Sequence, residues 1–313
     1  MNTKIYCDES ISSIRGHLEK RDYKYITYPK FIFLCGKGFD KNIRDSYWYS
    51  NRGIIHRYIN KLLPDSHIVL SEQMWEDGFD NSIDLLTFEE FLAEVSDAII
   101  LFVESPGSFC ELGAFAYADA LFSDKLIVVM DEKYRGSRSF ISTGPVLKAK
   151  GNGSKVLFAQ IENGALLASQ ELRSEIITLV ETIKMKQSRI NKRLVNESEN
   201  IIYVNSFIVE LLELLKIVQP ISVPDLLQLY KMIKGFKSFT FVKRTGEKFK
   251  REIKSGYILK LLQNSGIIQE KDSHIRLSNY KKTQNLMLKY HGNAMERERN
   301  RLICRKYRYG GLV

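Results

Sequence analysis

The chain has 313 residues, 44% of them hydrophobic and 27% charged, the balance of an ordinary globular protein. No apolar run approaches the roughly 20 residues that a membrane helix needs, and the opening stretch MNTKIYCDESISSIRGHLEK has no apolar core of the signal-peptide kind. A membrane partner is therefore not expected, and the cytoplasm is the expected location. The four cysteines, Cys7, Cys35, Cys110 and Cys304, lie far apart with no Cys-x-x-Cys pair and no histidine at zinc spacing, so neither disulfides nor a metal site is expected. Net charge is +10, and residues 281–313 carry nine Lys/Arg against Glu296 and Glu298. Such a basic tail attracts polyanions, although the same residues also describe a solvated helix and tail.

In chain order, the first 30 residues read as a polar helical lead-in. The apolar run 31-FIFLC-35, closed by Gly36-Lys37-Gly38, reads as a buried strand and a loop. A helix is predicted over 52–63, stopped by Pro64, then a strand over 67–71. Apolar positions 85, 86, 88, 91, 92 and 95 have helical spacing. Strands follow at 98-AIILFV-103, 125-KLIVVM-130 and 155-KVLFA-159, with a helix over about 109–122. Continuous apolar strands alternating with helices predict a Rossmann-like, flavodoxin-like parallel sheet with helices on both faces.

Beyond the sheet, Leu172, Ile176, Leu179, Val180 and Ile183 share one helical face, as do seven apolar residues from Val204 to Val218, and 184–200 is polar. After Pro220 and Pro224, two helices (224–236 and 250–266) and a hairpin (267–278) resemble a winged helix-turn-helix. The division predicted is 1–165 for the sheet domain, 166–219 for bracing helices or linker, 220–290 for the winged-helix-like domain and 291–313 for the basic tail.

Ligands of parallel sheets bind beyond the carboxyl ends of the strands. That rim carries Gly36, Ser71-Glu72, Glu104-Ser105-Pro106-Gly107-Ser108 and Asp131-Glu132. The loop at Gly36 could approach a phosphate but lacks the nucleotide-loop patterns. In ESPGSFCELGAFA (104–116), Ser108 and Glu111 fit a capping box, with Ser108 as N-cap and Glu111 in the first helical turn. Held there by the helix dipole and nearby amides, Glu111 would be ionised, as a glycosyl-transfer nucleophile must be. Glu104 or Glu72 would orient ribose hydroxyls or move protons.

The segment 98-AIILFVESPGSFCELGAFA-116 resembles the active-site segment of nucleoside deoxyribosyltransferase-like proteins, and more closely that of the retron-associated effectors of that superfamily. The stretch 137-SRSFISTGPV-146 and, more weakly, Ser71-Glu72 with 75-WEDGF-79 carry the same resemblance, which spans roughly residues 10–290. It implies cleavage of an N-glycosidic bond, with NAD as the expected substrate, split to nicotinamide and ADP-ribose during antiphage defence, and no cofactor. Glu111 takes the position of the family's catalytic carboxylate. Ser108 would line the site with Ser105, Glu72 and Glu104 carry over as partners, and Arg138 and Ser139 would meet phosphates or cap a loop. Cys110 and Ser71 stand where relatives can carry Thr and Pro. The partners implied are a retron reverse transcriptase and its multicopy single-stranded DNA–RNA hybrid (msDNA), which hold the toxin inactive; higher-order assembly is left open. Two other functions fit the same residues: an N-glycosidase or deoxyribosyltransferase acting on other nucleosides or nucleotides, and a nucleotide-sensing DNA-binding regulator.

Overall fold

The structure, a computed structural model, describes residues 8–19, 25–26, 29–40, 42–75, 84–118, 122, 124–161, 164–186, 195–196, 201–236, 240–242, 254–278, 288–289, 295 and 298–302. The chain forms two compact units, one from Pro29 to Lys186 and one from residues 1–28 together with 187–313. The first unit therefore ends at Lys186 rather than at 165, and the N-terminal lead-in belongs to the second.

Helix α1 (Asp8–Glu19) and strand β1 (Tyr25–Ile26) precede the sheet unit. That unit then runs β2 (Lys30–Cys35), α2 (Ser46–Tyr49), α3 (Asn51–Leu62), β3 (Ser66–Val69), α4 (Ser71–Trp75), α5 (Leu85–Val95), β4 (Ala98–Phe102), α6 (Pro106–Tyr117), β5 (Leu126–Asp131), α7 (Leu147–Gly151), β6 (Lys155–Ala159) and α8 (Gln170–Lys186). Its five strands lie in the order β3-β2-β4-β5-β6, all parallel. Each strand forms because an unbroken apolar run can bury both faces. Ile32 and Leu34 of β2, Ala98, Ile100 and Phe102 of β4, and Val129 of β5 pack with Ile55 and Ile59 of α3 and Leu172 and Ile176 of α8. The alternate residues turn the other way, where Phe33 meets Phe115 of α6 edge-on at 6.3 Å and α5 packs against β2.

The α8 face expected from the sequence thus covers the sheet. The strand order reverses between β2 and β4, and doubly wound sheets open their ligand crevice at such a point.

The second unit continues with β7 (Val195–Asn196), β8 (Ile201–Tyr203), α9 (Val204–Val218), β9 (Ile221–Ser222), α10 (Val223–Lys234), β10 (Thr240–Val242), α11 (Ser255–Asn264), β11 (Ile268–Lys271), β12 (His274–Leu277) and β13 (Leu288–Lys289). Helix α1 packs on α9 and α10. Its buried His17 Nε2 lies 2.9 Å from Glu213 Oε1, and Arg15 donates to the carbonyls of Met232 and Ile233 at the end of α10. The two helices and the hairpin expected after Pro220 are present. A third strand, β9, pairs antiparallel with β12 and was not foreseen. Most of the basic tail, the 184–200 stretch and the WEDGF motif, and Cys7 and Cys304, lie outside the described residues. Among those that are described, no helix is long and apolar enough to cross a membrane.

Gly53 fixes how α2 meets α3, because a Cβ there would stand 2.1 Å from the Tyr47 carbonyl oxygen and 2.7 Å from Trp48 Cα. Backbone cannot yield as a side-chain tip can, so Gly53→Ala should destabilise the sheet unit by on the order of 2 kcal/mol or more. Gly113→Ala, where a Cβ meets nothing within 4 Å, should be neutral or stabilising. Thermal unfolding of the two variants side by side tests the contrast.

Candidate active site

The candidate site begins at the carboxyl end of β2. Gly36 has φ +151°, and a Cβ on it would lie 3.0 Å from Glu104 Oε1. The absent side chain lets the loop close on Glu104, whose Oε1 accepts from the Lys37 amide at 3.1 Å. Its Oε2 accepts from Asn51 Nδ2 at 2.6 Å, and Asn51 also donates to the Ile161 carbonyl. Glu104 therefore ties the loop after β2, the start of α3 and the chain beyond β6 to the end of β4. The loop Gly36-Lys37-Gly38 is thus shaped by its close approach to a carboxylate.

Helix α6 starts three residues earlier than the sequence pattern suggested. Its N-cap is Ser105, Pro106 occupies the first turn, and Ser108 is the third helical residue. Proline's fixed φ suits a first helical position, and this outweighs the Ser108-x-x-Glu111 pattern. The Ser108 hydroxyl accepts from the amides of Glu104 and Ser105 at 2.9 and 2.8 Å, and donates to the Ser105 carbonyl. Ser108 is 1% exposed, so it locks the turn from strand to helix. Glu111 consequently falls in the second turn, where the helix dipole has weakened.

What surrounds Glu111 also differs from expectation. The structure brings it not to Glu104 but to Glu89 of α5, and the two carboxyls are hydrogen-bonded to each other. Burial, then the Glu89 charge, pushes the Glu111 carboxyl up to about 8, with Arg52 opposing and Glu72 adding to the shift. Burial likewise raises Glu89, against hydrogen bonds with Ser71 and Glu111. Burial and the Glu89 charge thus favour the protonated form of Glu111 in the free protein, the opposite direction from the one expected of a helix start. Its Oε2 is buried with no hydrogen-bond partner among the described residues.

Beside the pair, among the described residues, sits a cation. Arg52 of α3 is 2% exposed, and its Nη2 lies 2.6 Å from Glu72 Oε1 and donates to the Lys37 carbonyl at 2.7 Å. Burial works against the Arg52 charge, but the hydrogen bond and charge of Glu72 outweigh it and push the guanidinium up. Phe39 lies against the guanidinium, its ring centroid 5.9 Å from Cζ, and Tyr47 packs edge-on against Phe39. Beneath, burial raises the Cys35 thiol well above its ordinary value, with Glu111 and Glu89 adding, so Cys35 stays a neutral floor. Glu72 is held by an arginine rather than loose in a loop.

Arg138 and Ser139 lie before the helical stretch that runs into α7 and packs on α6. Ser139 Oγ accepts from the Ser142 amide at 3.3 Å, which makes it a cap; Arg138 is exposed. Arg52 and Glu89 are the residues that sequence reasoning missed. A signal was present: Arg52 is three residues before Ile55, and Glu89 three before Leu92, so each puts a charge on an otherwise apolar helical face. Among the described residues no His/Cys/Asp/Glu group is arranged to hold a metal ion.

A five-stranded parallel sheet with an acid-rich carboxyl edge and a strand order that reverses between β2 and β4 defines a doubly wound α/β unit. The model of the STM3845 retron effector protein family matches residues 49–270, and the chain belongs to that family. A relative from Escherichia coli, named "Retron Ec86 putative ribosyltransferase/DNA-binding protein", is 32% identical over 227 residues, 69% of either chain. The Retron Ec73 protein of the same description, also from E. coli, is 36% identical over 121 residues, 37% of either chain.

The Glu111 shift carries a stability consequence. Its folded pKa, about 8, lies above the ordinary 4.5, so the folded state binds more protons than the unfolded one between those values. The stability it contributes is complete below 4.5 and is lost as pH rises through 8. Glu111→Gln should remove this slope and stabilise the chain at pH 8.5 relative to the parent by on the order of 2 kcal/mol. Denaturant titrations at pH 5 and 8.5 measure it.

Proposed function

We propose that this retron effector cleaves N-glycosidic bonds, with NAD as substrate and nicotinamide and ADP-ribose as products. The observation that supports it most is the half-buried Glu111 carboxyl, set beside Glu89 and Arg52 at the strand ends of the sheet. It stands in a family whose relatives carry ribosyltransferase in their names. In this reading an ionised Glu111 oxygen bonds to the ribose C1′ as the C1′–N bond breaks. The bonding electrons pass to the departing nicotinamide nitrogen, which becomes neutral. Water then attacks C1′, releasing ADP-ribose, a proton and the Glu111 carboxylate. Arg52 keeps Glu72 in place, and Glu104 with the Lys37 amide forms the rim where ribose hydroxyls would rest.

This reading places the chain with the nucleoside deoxyribosyltransferase-like N-glycosidases and makes it the toxin of an antiphage system. The reverse transcriptase and msDNA of the retron would restrain it. The two helices and three-stranded hairpin sheet of 221–277 act as a winged-helix-like platform in that complex, and the basic residues of 281–313 supply phosphate contacts.

Glu111→Gln should lower nicotinamide release from NAD by at least about a thousandfold, in the range set by loss of a nucleophile, followed by chromatography of the products. Full turnover by this variant would rule Glu111 out. Release of free bases from other nucleosides, with NAD intact, would transfer the reading to a different substrate. Deleting 291–313 should weaken binding to msDNA and flatten its salt dependence; an unchanged salt slope would remove the tail from the interface.

A further inference from the structure

We propose that Glu89 is the positioning residue of this site: it shares a single proton with Glu111 and thereby decides when Glu111 is a free carboxylate. The proposal rests on Glu111 being the reacting group, as argued above. Glu89 is 5% exposed, on the face of α5 that packs against β2 and α6. A carboxyl is expensive to bury there unless it is used.

Among the described residues, the groups facing the pair come from three neighbouring elements: Cys35 from β2, Arg52 from α3, and Ser71 and Glu72 from α4. The cation among them, Arg52, is in contact with Glu72. Ionising Glu89 and Glu111 together would leave two hydrogen-bonded carboxylates facing each other with one guanidinium already committed. Such a pair holds one proton and titrates as a unit. The hydrogen bond lets that proton sit on either carboxyl. When it rests on Glu111, the nucleophile is masked. When it passes to the Glu89 carboxylate or to solvent, Glu111 is free to attack, and no oxidant or further reactant is needed.

Glu89→Gln removes the competing charge and leaves a permanent N–H donor toward Glu111. Glu111 should then be ionised at lower pH. For nicotinamide release from NAD, the acid limb of kcat/KM should move down by at least about one pH unit, a tenfold change in proton concentration. At pH 6 the variant should therefore outpace the parent protein. A residue with a merely structural role would lower the rate without moving the limb. An acid limb that stays where it is in Glu89→Gln overturns the proposal.

Carbon-13 titration of the side-chain carboxyls in the full chain reads the same pair without turnover. The Glu111 carbon should titrate near 8 with the Glu89 carbon responding in the same step, and a Glu111 midpoint in the ordinary carboxylate range would sink the idea even if Glu89→Gln does not fold. Turnover by Glu111→Gln contradicts the function, whereas an inactive Glu111→Gln beside an unshifted Glu89→Gln profile contradicts the role of Glu89 alone.

Discussion

Two carboxyls meet in a space that can hold only one negative charge at low cost, and the arrangement of the site follows from that. Glu89 and Glu111 come from different helices, α5 and α6, on the same side of the sheet. Beneath them the buried Cys35 thiol offers no charge to solvate either one. The cation beside them, Arg52, is drawn off by Glu72. The proton that remains is what lets the pair stay folded. It is also what a substrate or a change of pH must move.

The fold makes this meeting reproducible. A parallel sheet sends every strand to the same edge, and the reversal between β2 and β4 opens that edge. There the chain closes the gap with Gly36 against Glu104 and ties it with Asn51. Ser105, Pro106 and Ser108 then set the first turn of α6, so that Glu111 emerges one turn further along. The cost is borne as lost stability above neutral pH, where a better-packed apolar pair would be preferable. Such conflicts between stability and local rules concentrate at sites kept for chemistry.

Much of the sheet was legible in the sequence because its strands are unbroken apolar runs, and FIFLC, AIILFV and KLIVVM leave few other options. The start of α6 was misread because two serines compete as caps, and only the proline after Ser105 decides between them. Glu111 was reached through its segment, but its charge state was not. Ionisation depends on Glu89 and Arg52, which are 22 and 59 residues away in the chain. Reading helical faces by their apolar positions passed over both, although each interrupts such a face with a charge. Glu104 looked catalytic from its place at a strand end, yet both of its oxygens are engaged in holding the edge together. The N-terminal helix gave no sign that its partners are α9 and α10, since a lone amphipathic face does not say what covers it.

The central claim is that Glu111 forms the bond to ribose, and trapping that bond tests it most directly. A fluorine at C2′ slows both steps of glycosyl transfer, while the good nicotinamide leaving group keeps the first fast enough for the glycosyl-enzyme to accumulate. Incubating the whole chain with 2′-fluoro-arabino NAD, quenching in acid and weighing the peptides should therefore find the sugar adduct on the peptide that contains Glu111, with nicotinamide released in equal amount. An adduct on Glu72, Glu89 or Glu104, or stoichiometric nicotinamide release with Glu111 unmodified, would contradict the account.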